Sequence, residues 1–445
     1  MPDSLEPRAA LPGDVTCDAV VVGGGFTGLW AAYYLKSLQP DLRVVLVEAE
    51  IAGFGPSGRN GGWASSMIAG SASAYERSGD EALVRATRET FNAVEEIGSV
   101  AAREEIECGY LKAGLLRVAT TPPQRERLEA SAQEHWEWGM SKDDLGLLAG
   151  EELDQFARVK GRLAGWYTPH GARIDPARLV RGLARACERL GVTIHERTRA
   201  LALESGRVRC ETGTVRADIV LRTTESYTSL LPGSARAYLP LYSLMIATEP
   251  LPQEVWDELG WRDGLLLGDQ RHLFFYAQRT MDGRIAIGGR GAPYRLGRPI
   301  DEGNERNDAV RTRLEGAIRA HFPAAAGARI TDHWGGPLAA PRDWSMGVNF
   351  DRTSGFGCAG GYTGHGVVAS NIAGRTLADL VLGRETGLVS LPWVGHRSRN
   401  WEPEPLRYLA SSAIVRILGS ADRKEDRTGR RAWRTNLVAP FLPPR

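Results

Sequence analysis

The 445-residue chain is nearly without lysine: of its 55 basic residues only Lys36, Lys112, Lys142, Lys160 and Lys424 are not arginine. Against 54 acidic residues this leaves a formal net charge of +1. No block of like charge stands out, which excludes a general nucleic-acid binder working through a basic face. Cysteine is also sparse. Cys17, Cys108, Cys187, Cys210 and Cys358 are scattered, with no CxxC pair and no Cys/His cluster at zinc spacing. Neither a disulfide framework nor a metal site is expected. No run approaches the ~18 apolar residues of a membrane span, so integral membrane contact is not expected. The opening MPDSLEPRAALPGD has no apolar h-region, so no secretory leader is expected, and a cytoplasmic location follows. What is present suits a globular chain: 42% apolar residues and 52 glycines, in a length that favours two or three domains.

The elements read as follows. Asp18–Val22 is an apolar run, then come the glycines of VVGGGFTGLW, a helix, and a second run, Val44–Glu48. This is strand, turn, helix, strand. Helices are expected over 82–107, over 123–140, from Asp175-Pro176 to a closing Gly191, and over 307–322 with Val310, Leu314 and Ile318 on one stripe. Short strands are expected at 193–196, 200–204, 207–210 and 219–223, and a hairpin at HLFFYAQRT-MDG-RIAIGGRG. The segment FGCAGGYTGHGVVASNIAGRTLADLVLG repeats the opening theme, and an amphipathic helix is expected near 406–418. Because the nucleotide-binding theme returns at start, middle and end, two interleaved domains are expected rather than two consecutive ones.

The first glycine motif carries its own chemistry. Gly23, Gly25 and Gly28, with Phe26 and Thr27 between them, give GxGxxG after a strand and at a helix start. The glycines allow a tight turn, close backbone approach to a pyrophosphate, and close packing of helix on strand. The helix N-terminus offers free N–H groups and a positive dipole end to phosphates. Glu48 ends the second strand, where a carboxylate accepts from ribose hydroxyls and disfavours a 2′-phosphate. The spacing alone leaves FAD and NAD both open.

Three further segments carry a resemblance. GFGPSGRNGGW (53–63), TTESYTSLL (223–231) and GGYTGHGVV (360–368) resemble the flavin motifs of D-amino-acid-oxidase-type flavoproteins. The resemblance is nearest to the sarcosine oxidase and γ-glutamylputrescine oxidase-like amine oxidases, and it covers about 18–387. It implies an α/β (α+β overall) protein in which a Rossmann-type FAD-binding domain (1–70, 166–235, 336–387) is interleaved with a mixed-sheet substrate domain (71–165, 236–335), followed by a tail (388–445). It implies that Ser57, Gly58, Arg59, Asn60, Gly61 and Gly62 run beside the isoalloxazine and ribityl chain, that Arg199-Ala200 backs the adenine, and that Thr223 lies near the ADP part. Gly361, Thr363, Gly364, His365, Gly366 and Val367 form the last motif. There a second helix N-terminus points at the flavin pyrimidine ring, a position that favours negative charge on reduced flavin. His365 holds the flavin or substrate, or simply fills the turn.

On the substrate side, Phe274, Tyr276 and Gln278 alternate with Phe275, Ala277 and Arg279, so one set faces the ligand. The resemblance implies that Tyr276 or Phe275 lines the pocket. Arg290 and Arg279 are candidates to meet an acidic substrate group, or are ordinary ion pairs. Trp63, Trp334 and Tyr362 are candidate aromatic walls. Tyr276, Arg290 and His365 are the candidate catalytic residues.

Departures from the family shape the expectation. Sarcosine oxidases attach the flavin to a cysteine before the final glycine motif. HWGGPLAAPRDW contains none, so FAD is expected to be non-covalent. Val367 and Val368 stand where those enzymes carry a lysine that grips the substrate carboxylate, which points to a larger or differently charged amine. No lysine falls in 284–290 either, where the family keeps a flavin-facing lysine for oxygen. Either Arg290 serves, or the acceptor is not oxygen. The expected reaction is hydride transfer from a small-molecule amine to flavin N5, giving an imine that hydrolyses. The alternatives are a dehydrogenase with another acceptor, a flavin monooxygenase, or a non-enzymatic flavin-binding partner protein. Gly268-Asp269 precedes a hairpin and not a glycine turn and helix, unlike the monooxygenase motif.

Overall fold

The elements that position the site are β1 (Val15–Val22), α1 (Phe26–Leu38), β2 (Val44–Val47), β3 (Leu115–Ala119), β4 (Thr214–Arg222), β5 (Leu239–Thr248), β6 (Phe275–Arg279), β7 (Ile285–Ala292), α2 (Asp308–His321), α3 (Gly366–Leu382) and α4 (Leu406–Thr428). They belong to a computed structural model that describes residues 5–69, 75, 78–292, 294–297 and 300–439.

The uninterrupted apolar run of β1 is explained by its place. It pairs in parallel with β2 on one side and with β4 on the other, and Ala19, Val20 and Val21 are fully buried. A parallel strand covered on both faces has no use for alternating polar residues. The sheet continues as Ala200–Glu204, Arg207–Cys210, β4, β1, β2 and Thr193–His195, with Phe356–Gly360 and Gly347–Asp351 added beyond β4. Helices α1 and α3 cross at contact distance: a Cβ at Gly374 would lie 2.5 Å from the Trp30 Cβ. A glycine there lets the two backbones approach.

The second sheet orders its strands Ile330–Ala340, β5, β7, β6, Leu266–Asp269, β3, Ala164–Thr168 and Gly146–Ala149. It is antiparallel apart from Leu266–Asp269 with β3. Helix α2 covers one face through Val310, Leu314, Ala317 and Ile318, the stripe expected from sequence. Its N-cap is Asn307, whose Oδ1 accepts from the Val310 N–H at 3.1 Å. A third, three-stranded sheet joins Trp63–Ser65, Gly171–Arg173 and Leu111–Lys112. The mixed α/β architecture with two interleaved sheets is the one expected.

Domain limits fare differently. The limits at 165/166 and 335/336 fall inside Ala164–Thr168 and Ile330–Ala340, two strands of the second sheet. The limit at 70/71 lies outside the described residues, as do residues 440–445 of the tail.

Helix α4 runs ten residues beyond its expected end at 418 because its acids have inward partners. Asp422 accepts from the His272 and Leu273 N–H groups at 2.8 and 2.9 Å. Glu425 accepts from Arg127 at 2.8 Å and from the Ala432 N–H at 3.1 Å. His272, Asp422 and Glu425 lie together as metal ligands would, a cluster not expected from sequence. Their oxygens are already engaged in holding α4 to the loop before β6. Among the described residues no helix is long and apolar enough to cross a membrane.

Burial alone would raise the Glu425 carboxyl, but His272, Arg127 and the Ala432 N–H outweigh it and pull it down to about 2. Its stabilisation is therefore complete above the ordinary carboxylate value of ~4.3 and is lost as pH falls toward 2. The melting temperature of Glu425→Gln should lie below wild type at neutral pH, and the gap should close across that acid window. A gap independent of pH would contradict this role.

Candidate functional site

One cavity of about 560 Å³ runs from the C-terminal ends of β1 and β2 to the second sheet. Its first half is built on glycines. Gly23 has φ of +111°, and a Cβ there would meet the Thr223 carbonyl at 2.9 Å. A Cβ at Gly28 would be 2.0 Å from the Gly23 carbonyl, and one at Gly25 would be 2.9 Å from Ser57 Oγ. Thr223 closes the turn from behind by donating Oγ1 to the Val22 carbonyl at 2.8 Å. Gly25 caps α1, and the Phe26 N–H at its first turn donates to Ser57 Oγ at 2.9 Å.

Glu48 follows β2 and lines the same cavity near Arg199 and Ala200. Its carboxylate accepts from the Gly24 and Glu50 N–H groups at 2.7 and 2.9 Å. Burial raises its pKa, and these two donors oppose the rise. A carboxylate has about four acceptor positions, so two remain for hydroxyls.

The segment 57–62, which begins in the short helix Pro56–Arg59, passes along the middle. Ser57, Arg59, Asn60 and Gly61 line the cavity. Asn60 braces the loop, donating Nδ2 to the Ser57 carbonyl at 2.8 Å and accepting from the Gly62 N–H at 2.9 Å. Gly58 and Gly62 stand behind the wall: their Cβ atoms would strike the Gly53 carbonyl and Gln278 Nε2 at 2.3 and 2.2 Å. Arg59 pairs with Glu305 at 2.7 Å.

At the far end, Gly361 and Gly364 have φ of +85° and +108° and Thr363 +51°, so the chain doubles back before α3. Glu225, missed from sequence as a brace, accepts from the Gly361 and Tyr362 N–H groups at 2.9 and 3.3 Å. Gly364, His365, Gly366 and Val367 then line the cavity at the N-terminus of α3.

The aromatic end is made by Trp63, Phe274 and Tyr276. Trp63 and Tyr276 meet edge to face at 5.7 Å, and Tyr276 Oη shares a 2.6 Å hydrogen bond with Ser243 Oγ. Two guanidinium groups flank Phe274, that of Arg117 at 4.9 Å and that of Arg290 at 5.2 Å from the ring centre. Arg117 donates to the Asp269 carbonyl at 3.1 Å, and Arg290 donates to the Thr363 carbonyl. Both are backbone acceptors. Burial lowers both arginines, Arg117 to about 10, which leaves each charged at neutral pH. His365 is pushed down to about 3, by burial first and then by Arg290 and Arg117, so it is neutral.

One alternative is decided and two expectations are corrected. Phe275 joins the core on the opposite face of β6, so Phe274 and Tyr276 supply the wall. Arg279 stacks over Trp256 at 4.5 Å, and Trp334 donates to the Arg59 carbonyl at 2.9 Å; neither reaches the cavity. Tyr362 does reach it, but its hydroxyl is bonded to Thr27 Oγ1 at 2.9 Å, which ties the α3 turn to the start of α1. Arg117 and Ser243 were missed. A lone arginine within the apolar GLLRVAT was the available sign of the first. No cysteine is among the residues lining the cavity, and Cys358 lies in the strand Phe356–Gly360.

Comparison with known proteins agrees with this geometry. Residues 18–380 match the family described as DAO, FAD dependent oxidoreductase. The chain is 30% identical over 397 residues to the probable oxidoreductase OrdL of Rhizobium meliloti (strain 1021), covering 85% of this chain and 86% of the relative. It is 29% identical over 389 residues to the gamma-glutamylputrescine oxidoreductase of Escherichia coli (strain K12), with coverage of 85% and 86%. Among solved structures its fold is similar to glycine oxidase from Geobacillus kaustophilus, with a TM-score of 0.70, 18% identity and coverage of 87% and 100%. L-proline dehydrogenase from P. horikoshii gives a TM-score of 0.70 at 18% identity, with coverage of 86% and 98%.

FAD is the cofactor of that family, and the residues fit it: a glycine cradle that any Cβ would fill, a carboxylate with free acceptors, and two helix N-termini on one elongated cavity. Gly25→Val closes the cradle at its narrowest approach to Ser57. The purified variant should fold, judged by circular dichroism, but lack the visible flavin absorbance of the wild type. Wild-type flavin content would refute the assignment of this turn.

Proposed function

We propose, for a chain that belongs to the DAO family of FAD dependent oxidoreductases, oxidation of the C–N bond of a small amine that carries an acidic group. The carrying observation is the far end of the cavity. There an aromatic box holds two half-buried arginines that line the cavity, and among the described residues no carboxylate lies within 4 Å of either. The names of relatives and structural neighbours, gamma-glutamylputrescine oxidoreductase, glycine oxidase and L-amino acid deaminase, support amine and amino-acid chemistry as the class.

FAD, when bound, supplies hydride acceptance at N5 from the carbon beside the nitrogen, and the imine formed is hydrolysed by water to an aldehyde or ketone. The chain does the rest. Trp63, Phe274 and Tyr276 wall the substrate end against water, and Ser243 fixes the Tyr276 hydroxyl. Arg117 and Arg290 attract a carboxylate and oppose a second positive charge, so a bound amine is held in the neutral form that can release hydride. Through the Thr363 carbonyl, Arg290 also fixes the turn that aims α3. His365, pushed down to about 3, is a neutral imidazole at neutral pH and a weak proton acceptor, so its role is to position by hydrogen bonding.

The electrons pass to oxygen or to another acceptor. We place the reaction in the cytoplasm, in keeping with five free cysteines.

Anaerobic mixing with a panel of amines, with and without a carboxylate, tests the reading: the flavin should bleach fastest with acid-bearing amines. Arg117→Met removes a charge-assisted contact, so its kcat/KM should fall by about 10–100-fold for an acidic amine and by far less for a neutral analogue. An equal fall for both would remove Arg117 from substrate binding, and no bleaching by any amine would remove the amine.

The pH profile gives a second check. With His365 neutral above about 3, kcat/KM between ~5 and ~9 should rise along a single limb, that of the substrate amine. The limb should survive in His365→Asn. Its disappearance there would assign the titration to His365.

A further inference from the structure

The outer face of α4 is unlike the rest of the surface. Its inner face buries Leu418, Ala421, Asp422 and Glu425. On the opposite side Leu406 and Leu409 are 59% and 57% exposed. Farther along that side Arg416, Arg423 and Arg427 recur at spacings of seven and four, which places them in one row. The chain then turns through exposed Arg430 and Arg431 to Trp433 and Leu437, which are 64% and 61% exposed.

No acid balances the row. Asp422 and Glu425 are spent on the loop before β6 and on Arg127, and Asp426 pairs with Arg271 at 3.2 Å. Among the described residues, none of the five exposed arginines has an acidic partner within 4 Å. Arg416 and Arg423 also rim a cleft of about 610 Å³ between α2 and α4, whose floor includes Leu273, Val310 and Leu314. Arg313 stands at that cleft and donates to the Arg290 carbonyl.

We propose that this face docks the protein on an anionic lipid surface. Basic side chains that meet lipid headgroups, flanked by exposed Trp and Leu that enter the headgroup boundary, are the two components of interfacial binding. The cleft adds a seat in which a headgroup meets arginine above apolar walls, its two acids, Asp422 and Asp426, being held by the 272–273 amides and by Arg271. A second copy of this chain fits poorly, because a two-fold contact would bring the arginine row against its own image. A nucleic acid would leave Trp433, Leu437, Leu406 and Leu409 without apolar cover. The inference does not depend on the identity of the amine.

The test is sedimentation of the flavin-loaded, full-length protein with vesicles of phosphatidylcholine alone, or of equal parts phosphatidylcholine and phosphatidylglycerol. Binding should require phosphatidylglycerol and weaken as salt is raised. Reversing three charges, Arg423→Glu with Arg427→Glu and Arg430→Glu, should weaken it on the order of a hundredfold, with flavin content and amine turnover unchanged. Trp433→Ala, which touches no ion pair, should weaken it severalfold. The proposal is overturned by no binding to the anionic vesicles, equal binding to both vesicle types, undiminished binding by the triple variant, or a solution dimer that the triple variant dissociates. Capture by polyglutamate or duplex DNA without vesicle binding would overturn it in favour of an acidic macromolecule.

Discussion

The cavity depends on one hydrogen bond between residues 335 positions apart, from Thr27 in the first turn of α1 to the Tyr362 hydroxyl before α3. It fixes two helix N-termini on one space. The bond can form only because α1 and α3 lie nearly in backbone contact, which Gly374 beside Trp30 allows. A larger residue at that crossing would separate the helices, and both dipole ends would leave the cavity together. Glu225 reinforces the arrangement by holding the Gly361 and Tyr362 amides. The two glycine motifs, far apart in sequence, are thus parts of one cradle.

The second sheet contributes opposite physics. Where the first half of the cavity is lined by backbone donors, the far half is lined by ring edges and two guanidinium groups paired only to carbonyls. Two like charges across one phenyl ring are costly in a dry site, and both are pushed toward deprotonation. Such an arrangement is retained at a functional site when a ligand brings the missing negative charge. The neutrality of His365 follows from burial and the same field, so one of the three candidate catalytic residues is a weak proton acceptor.

Much of the cradle was legible because it is local. Strand, GxGxxG, helix and terminal acid occupy one short stretch, and each residue's reason is backbone geometry. The α2 stripe and the interleaved order were legible for the same cause. The substrate end was legible only in part: Trp63, Tyr276 and Arg290 were named, but the rest is made by sheet packing. Which of Phe274 and Phe275 faces the cavity is set by α2, whose Leu314 and Ile318 pack with Phe275 in the core. Arg279 shares the face of Phe275 and goes with it. Arg117 sits on β3, distant in sequence, and reaches Phe274 only because β3 pairs with Leu266–Asp269, which pairs with β6. The true end of α4 depends on Arg127 and the 272–273 amides, which periodicity does not register.

The scarcity of lysine takes on a structural meaning at this end of the cavity. Burial there lowers a guanidinium from the ordinary arginine range to about 10 at Arg117, and it remains cationic at neutral pH. An ammonium starts at ~10.4, so the same burial would bring a lysine down to about 8, within reach of neutral pH, where a guanidinium keeps a wider margin. A fraction of such a lysine would lose both its hold on a carboxylate and its pressure on the amine to shed a proton. Arginine also presents a planar fork, so Arg290 can hold the Thr363 carbonyl with one nitrogen while the rest of the group faces the cavity. Substituting lysine at either position would keep the formal charge of the sequence but narrow the margin by which the site stays charged, and it would remove the planar fork.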